Sequence, residues 1–111
     1  MSALRESAVR ALDALAQAAD ACPGLHLAPE QPGHVTLRWM AETRRTARVR
    51  VVAHTCDHCS PLAYELCASG GLLFVRRTDR SGGRPETRET ERLPDARTRR
   101  IWLDLLRGRA R

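Results

Sequence analysis

The sequence of 111 residues contains no lysine: all 19 of its basic residues other than histidine are arginines. Aromatic residues are scarce as well, with two tryptophans, one tyrosine and one phenylalanine. So few aromatic side chains argue against the stacking platform on which many single-strand-binding domains hold bases. No apolar run approaches the roughly 20 residues of a membrane helix, and none resembles a secretory signal. These absences predict a cytoplasmic protein that does not contact a membrane.

Length and composition limit the fold to one unit. A chain of 111 residues is long enough for one domain of ordinary size and too short for two. With 29% charged and 42% hydrophobic residues, the composition is neither that of a fibre nor that of a disordered chain. We therefore expect a single domain over residues 1–111.

The absence of lysine has two competing explanations. Arginine is preferred where planar contacts to phosphate or carboxylate matter. A GC-rich genome also encodes arginine and alanine often, and 16 alanines accompany the 19 arginines. The position of the charge is more informative, because the excess of arginine falls in two blocks, residues 38–50 and 76–111. These blocks would form a phosphate-binding surface only if they meet on one face of the fold.

The two ends of the chain carry helical patterns. The segment 2–21 has an apolar face at helical spacing, with Ser2 as N-cap and Pro23-Gly24 after its end. That face consists of Leu4, Ala8, Ala11, Leu12, Leu15, Ala19 and Cys22. A shorter helix is predicted after Pro94, with an apolar stripe that includes Trp102 and with Gly108 as the residue beyond its end. We expect a long N-terminal helix and a C-terminal helix.

Between these helices the hydrophobic period changes from 3.6 to 2. Residues 34–42 and 46–54 alternate, which predicts a first hairpin with one apolar face and one arginine-lined face. Residues 62–68 and 72–78 predict a second hairpin that turns at Gly70-Gly71. Residues 79–94 are expected to be a flexible loop or a polar edge strand. The predicted fold class is α+β, with an antiparallel sheet of four to five strands arranged as a β-meander.

Cysteine and histidine concentrate where the second predicted strand ends. Cys56 and Cys59 have the two-residue spacing of a zinc knuckle. A structural zinc site needs two more ligands, which Cys22, His26 or Cys67 would supply, and the spacing does not decide among them. Isolated thiols and a redox Cys-x-x-Cys pair are the alternatives. The metal site that we predict comprises Cys56, Cys59, Cys22 and His26.

The same stretch also contains residue types that occur in catalytic centres. His54, Asp57 and His58 lie near the two cysteines in sequence, but neighbouring residues of a strand point to opposite faces. No phosphate-binding glycine loop, nucleophile elbow or paired-carboxylate arrangement occurs elsewhere in the chain. The sequence therefore predicts a protein that is not an enzyme and that needs no cofactor, apart from a structural zinc ion.

The arginine blocks suggest a partner. An arginine-lined hairpin can enter a DNA groove or lie along phosphates, and arginines at the start of the last helix would extend that surface. The nucleic-acid-binding residues that we predict are Arg38, Arg44, Arg45, Arg48, Arg50, Arg97 and Arg100. Solvated arginine stems over apolar surface are the plainer explanation of such runs.

A second functional hypothesis is an interaction module. The alanine-rich face of the first helix would dock against a second copy of the chain, giving a homodimer, or against an acidic protein partner. Trp102 of the last helix would contribute to this contact. The two hypotheses differ in their response to salt, because only binding to DNA or RNA should weaken steeply as salt rises.

Overall fold

The protein is described from a computed structural model, which covers residues 22, 24–43 and 48–111. Five strands form one antiparallel sheet and a helix follows them. The elements are β1 (Met40–Ala41), β2 (Arg50–His54), β3 (Leu62–Ser69), β4 (Leu72–Asp79), β5 (Glu86–Glu89) and α1 (Asp95–Leu106). The antiparallel sheet and the C-terminal helix are thus confirmed, whereas the helix predicted over 2–21 lies outside the described residues. None of the described elements is a helix with the length and apolar character that crossing a bilayer requires.

The hairpin of β3 and β4 is the centre of the sheet. Its eight residue pairs run in register from Leu62 opposite Asp79 to Ser69 opposite Leu72. The two residues between the strands, Gly70 and Gly71, have φ angles of 59° and 81°. Glycine adopts this left-handed conformation without the steric penalty of a Cβ, so the glycine pair fixes the turn and hence the register.

The first predicted hairpin does not form, and that prediction was wrong. The strand order is β1-β5-β4-β3-β2, so β1 and β2 lie at opposite edges of the sheet. Met40 and Ala41 pair with Glu89 and Arg88 of β5 instead of with β2. Eight linking residues span up to about 26 Å, more than the roughly 19 Å across four strand spacings. The link is therefore long enough to cross the sheet, and the alternating pattern does not reveal which strand becomes the partner.

An irregularity in β2 changes which side chains share a face. The pairing of β2 with β3 shifts register between Val51 and Ala53, which marks a β-bulge. Arg50 lies opposite Ala68 and Ala53 opposite Leu66, so Arg50 and Ala53 share one face of the sheet. The uniform separation of apolar and arginine-bearing faces that simple alternation predicts is therefore absent in β2.

The hydrophobic core lies between the sheet and α1. Its buried members are Tyr64, Leu66, Leu73, Val75, Trp102 and Leu105. Partly buried Leu37 and Trp39 pack against it from the segment before β1. Trp102 is 6% exposed, so its side chain belongs to this core and not to the docking surface that the interaction-module hypothesis requires.

The opposite face of the sheet is also largely covered. Cys67 and Phe74 point to this face and are buried. Arg92 lies over the Phe74 ring at 4.1 Å from its centroid, and Arg76 donates to the Glu65 carboxylate at 2.9 Å. Several arginines of the C-terminal block therefore serve the fold itself, through ring contacts and ion pairs.

Residues 25–37, here called the N-terminal segment, run beside the C-terminal end of the chain. The Val35 N–H donates to the Arg109 carbonyl at 2.8 Å, and the Leu37 N–H donates to the Arg111 carbonyl at 2.7 Å. The two stretches meet beyond α1 at Gly108, which has a φ of 75° and so acts as the left-handed residue after the helix. This pairing gives the N-terminal segment a fixed position although it contains no strand.

Candidate metal centre

Four residues from two distant parts of the chain converge at one corner of the fold. The ligand atoms of Cys22, His26, Cys56 and Cys59 all lie within 4.8 Å of one another. These four residues, here called the Cys3His cluster, are the set that the sequence predicted. Cys56 is buried, Cys22 is half-buried, and His26 and Cys59 are exposed.

The backbone brings the two halves of the Cys3His cluster together. Leu25 forms an isolated parallel bridge with Thr55, and the Cys56 N–H donates to the Leu25 carbonyl at 2.8 Å. Gly24 lies so close to Cys56 that a Cβ added to it would be 2.7 Å from the Cβ of Cys56. Gly24 and Leu25, which lie between Cys22 and His26 in the chain, are therefore in direct contact with Cys56.

The turn that follows β2 is shaped around the sulfur of Cys56. The N–H groups of His58 and Cys59 point at this Sγ, at 3.3 and 3.4 Å. Donors of this kind stabilise negative charge on a thiolate, and outer-shell hydrogen bonds orient the ligands of a metal. The Sγ atoms of Cys22 and Cys56 are 3.2 Å apart, well beyond the length of a disulfide bond.

Hydrogen bonding within the cluster shifts the pKa values of Cys56 and Cys59 in opposite directions. The hydrogen bond with the Cys22 thiol, followed by those from the Cys59 and His58 N–H groups, lowers the pKa of Cys56 to about 6. Hydrogen bonding to Cys56 and then to Cys22 raises the pKa of Cys59 to about 11. Cys56 is thus readily held as a thiolate, whereas the raised pKa of Cys59 means that its ionisation beside Cys56 is favoured by a nearby cation.

The dimensions of the cluster suit zinc. Zinc–sulfur bonds of about 2.3 Å in a tetrahedron place the sulfur atoms roughly 3.8 Å apart. The 3.2 Å contact between two of the sulfurs and the 4.8 Å upper limit on all four atoms bracket that spacing. Three thiolates and one imidazole form a known ligand set for structural zinc.

The other cysteine and the neighbouring histidines do not belong to the Cys3His cluster. Cys67 is buried in β3 outside the cluster, and this burial raises its pKa to about 11. His58 is 3.5 Å from Asp57, but both side chains are largely exposed. His54 contacts the carbonyl of Thr55 at 3.1 Å. In the described part of the chain, none of these contacts builds a nucleophile–base pair with a cysteine.

The predicted arginine surface is divided by the fold. Arg38 precedes β1 at one edge of the sheet, whereas Arg48 and Arg50 lie at the other edge. Arg97 and Arg100 lie on α1, and Arg44 and Arg45 are outside the described residues. The arginine-lined hairpin face is therefore not present as predicted, because its two strands are not neighbours.

Part of the first basic block lies close to the start of α1. A cleft of about 640 Å³ is lined by Arg48 and Arg50, by Gly70 and Gly71 of the β3–β4 turn, and by Asp95, the first residue of α1. Arg99 donates to the Asp95 carboxylate at 2.7 Å, which pairs the acid at this cleft. One part of the first block thus lies beside the helix that carries part of the second.

Two features of the site had no clear signal in the sequence. The need for glycine at position 24 comes from its contact with Cys56, and a Pro-Gly pair by itself predicts only a turn. The bridge between Leu25 and Thr55 joins two short irregular segments without alternation.

The chain matches no protein family, and no curated protein or solved structure is significantly similar to it.

Proposed function

We propose that the protein is a non-catalytic zinc-binding domain in which the Cys3His cluster holds one structural Zn²⁺ ion. The observation that carries this proposal is the convergence of four ligand atoms within 4.8 Å. Two tight turns supply two ligands each, as in other structural zinc sites. A reducing compartment such as the cytoplasm would keep the three thiols available for the metal.

The role of the ion follows from its ligand count. Four protein ligands complete a tetrahedron and leave no open position for a substrate or a reactive water molecule. The ion would join the turn before the N-terminal segment to the turn after β2. It would thereby hold the N-terminal segment against the sheet and contribute directly to the free energy of folding.

Metal analysis of the purified protein tests this proposal. We expect about one zinc ion per chain, released by a chelator with a fall in the unfolding temperature. Cys59→Ser should lose the ion because it removes an exposed ligand with little effect on packing. Cys67→Ala is the matched control, since Cys67 lies outside the cluster. Substoichiometric zinc in the wild type, or full zinc in the Cys59 variant, would contradict the proposal.

We infer nucleic-acid binding as a second function of the same domain. All five described arginines of the predicted set are exposed, and none has a carboxylate partner within residues 22, 24–43 and 48–111. These are Arg38, Arg48, Arg50, Arg97 and Arg100. Unpaired guanidinium groups on a chain of net charge +6 are free to contact phosphates of DNA or RNA.

Salt-dependent binding to duplex and single-stranded oligonucleotides tests this second proposal. The double variant Arg48→Gln/Arg50→Gln should weaken binding and reduce the slope of log affinity against log salt by about 2 for duplex DNA. Arg99→Gln is the control, because Arg99 is already paired with Asp95. Absence of binding at low salt would end this proposal. Salt-insensitive self-association in light scattering would favour the interaction module instead.

A further inference from the structure

A cavity adjoins the Cys3His cluster on the side of the core. Its volume is about 390 Å³, within the range of small-molecule sites. The wall is mainly apolar, from Leu25, Leu27, Pro29 and Leu62. Polar groups also reach it, from His26, Cys56 and Cys59 of the Cys3His cluster and from Thr55, Ser60, Tyr64 and Arg111. A concave apolar pocket with a small number of convergent polar groups is the usual form of a ligand site.

Tyr64 brings an unused donor to this cavity. The residue is 2% exposed, and its backbone is fully engaged: its N–H donates to Thr55 Oγ1 at 2.9 Å and its carbonyl accepts from the Thr55 N–H at 2.8 Å. Its hydroxyl, by contrast, has no hydrogen-bond partner in the described part of the chain. Burial is the main cause that raises the Tyr64 pKa, so the phenol stays protonated at neutral pH and can donate.

Arg111 brings a cation to the same cavity. Its Nη1 donates to the Leu105 and Ala110 carbonyls at 2.8 and 2.9 Å, and its Nη2 donates to the Ala28 carbonyl at 2.5 Å. A guanidinium has five N–H groups, so Nε–H and one N–H of Nη2 remain without an acceptor. No carboxylate of a described residue pairs with Arg111. The side chain is thus held in place by three backbone carbonyls.

We propose that this cavity binds a small organic carboxylate with an apolar body. The two oxygens of a carboxylate match the free Nε–H and Nη2–H pair of Arg111, and the Tyr64 hydroxyl supplies a third donor. The leucine and proline side chains cover the apolar body. This site is separate from the arginine surface, but it shares His26, Cys56 and Cys59 with the Cys3His cluster, so the probes below are compared on zinc-loaded and zinc-free protein.

A pair of isosteric probes tests the proposal on the purified full chain. Hexanoate should produce saturable amide shifts at Leu25, Ala28 and Leu62 in nitrogen–proton NMR spectra. Hexanamide, of the same shape without the charge, should bind at least about tenfold more weakly, because hydrogen bonds to charged groups are the stronger ones. A spectrum without saturable shifts at tens of millimolar hexanoate, or equal affinity for the two probes, would overturn the proposal.

Variants then assign the contacts. Tyr64→Phe keeps the ring and removes only the hydroxyl, and it should weaken hexanoate binding by about tenfold. Arg111→Gln should weaken it at least as much, whereas Arg109→Gln should leave it unchanged, since Arg109 does not line the cavity. If Arg111→Gln does not fold, the hexanoate affinity of Tyr64→Phe still tests the proposal. Unchanged hexanoate affinity in a folded Tyr64→Phe protein would refute the role of this pocket.

Discussion

Replacing Gly24 by alanine should separate the two halves of the Cys3His cluster. The added Cβ would be 2.7 Å from the Cβ of Cys56 and 3.0 Å from its Cα, whereas carbon atoms pack at about 3.5–4.0 Å. The two turns would have to move apart by roughly 1 Å. Metal sites tolerate about 0.2 Å in their ligand distances, so the four ligands of Gly24→Ala could not keep a tetrahedron.

The size of the effect has two parts. Overpacking of this kind costs about 1–3 kcal/mol in the free energy of folding even without metal. Displacement of supporting contacts lowers metal affinity by about 10–100-fold. A hundredfold loss of affinity removes about 2.7 kcal/mol of the stabilisation that a given zinc concentration provides. We therefore expect Gly24→Ala to lose most of the difference in stability between zinc-loaded and chelator-treated protein.

Chemical denaturation with and without zinc, together with a zinc-chelator competition, measures both parts. Gly83→Ala is the matched control, because a Cβ at Gly83 would meet no atom within 4 Å and its φ is not in the left-handed region. The control should behave as wild type. Wild-type zinc affinity in Gly24→Ala would refute the reasoning, since it would show that the turns accommodate the methyl group or that the cluster is not the metal site.

Three further outcomes are expected. Gly108→Ala would place a Cβ onto the carbonyl oxygen of Pro29 at a φ of 75°, so urea unfolding should show a loss of more than about 1 kcal/mol. Thr98→Val removes the hydroxyl that donates to the buried Leu73 carbonyl at 3.1 Å, and the same measurement should show a loss of about 1–2 kcal/mol. Alkylation at pH 7.5 followed by mass spectrometry should modify Cys56, whose pKa is lowered to about 6, fastest in zinc-free protein and should spare Cys67, which is 0% exposed; added zinc should protect Cys56. Equal rates at all four cysteines would contradict that order.

The second hairpin shows what a sequence pattern can specify. The predicted strands 62–68 and 72–78 match β3 and β4 to within a residue at their ends. Here the alternation, the apolar content and the Gly70-Gly71 turn all agree, and the pairing is between neighbours in the chain. The helix after Pro94 was predictable for the same reason, since its apolar stripe and the glycine beyond its end both indicate a helix over the same residues.

The pairing of β1 and β2 shows the limit of such reasoning. Alternation predicts which residues share a face, but it carries no information on which strand lies alongside. Met40 and Ala41 pair with β5, and the β-bulge in β2 reverses the alternation within that strand. The arginine-lined hairpin was predicted on two assumptions: that strands adjacent in sequence pair with each other, and that alternation continues without interruption. The pairing of β1 with β5 contradicts the first, and the β-bulge in β2 contradicts the second.

The residue types of the candidate site could be predicted from the sequence, but the way in which the fold brings them together could not. Residue types and the Cys-x2-Cys spacing indicated a metal-binding turn, and the spatial convergence of Cys22 and His26 on that turn agrees with the predicted ligand set. The bridge of Leu25 to Thr55, which brings them there, depends on tertiary structure. The same holds for the cavity, because two of its polar groups, Tyr64 and Arg111, come from β3 and from the residues beyond α1.

The pairing of the N-terminal segment with the end of the chain also sets an order of events during synthesis. The Arg111 guanidinium donates to the carbonyl of Ala28, 83 residues earlier. At about 5–20 residues per second, a ribosome needs roughly 4–17 s to make the intervening chain. The neighbouring strands β2 to β5 can pair in sequence as they emerge, and Leu25 can already bridge to Thr55, but the stretch from Ala28 to Leu37 must wait for the residues at the end of α1 and beyond it. A metal ion bound by the Cys3His cluster, whose last ligand is Cys59, would therefore hold the start of the N-terminal segment before α1 has been made.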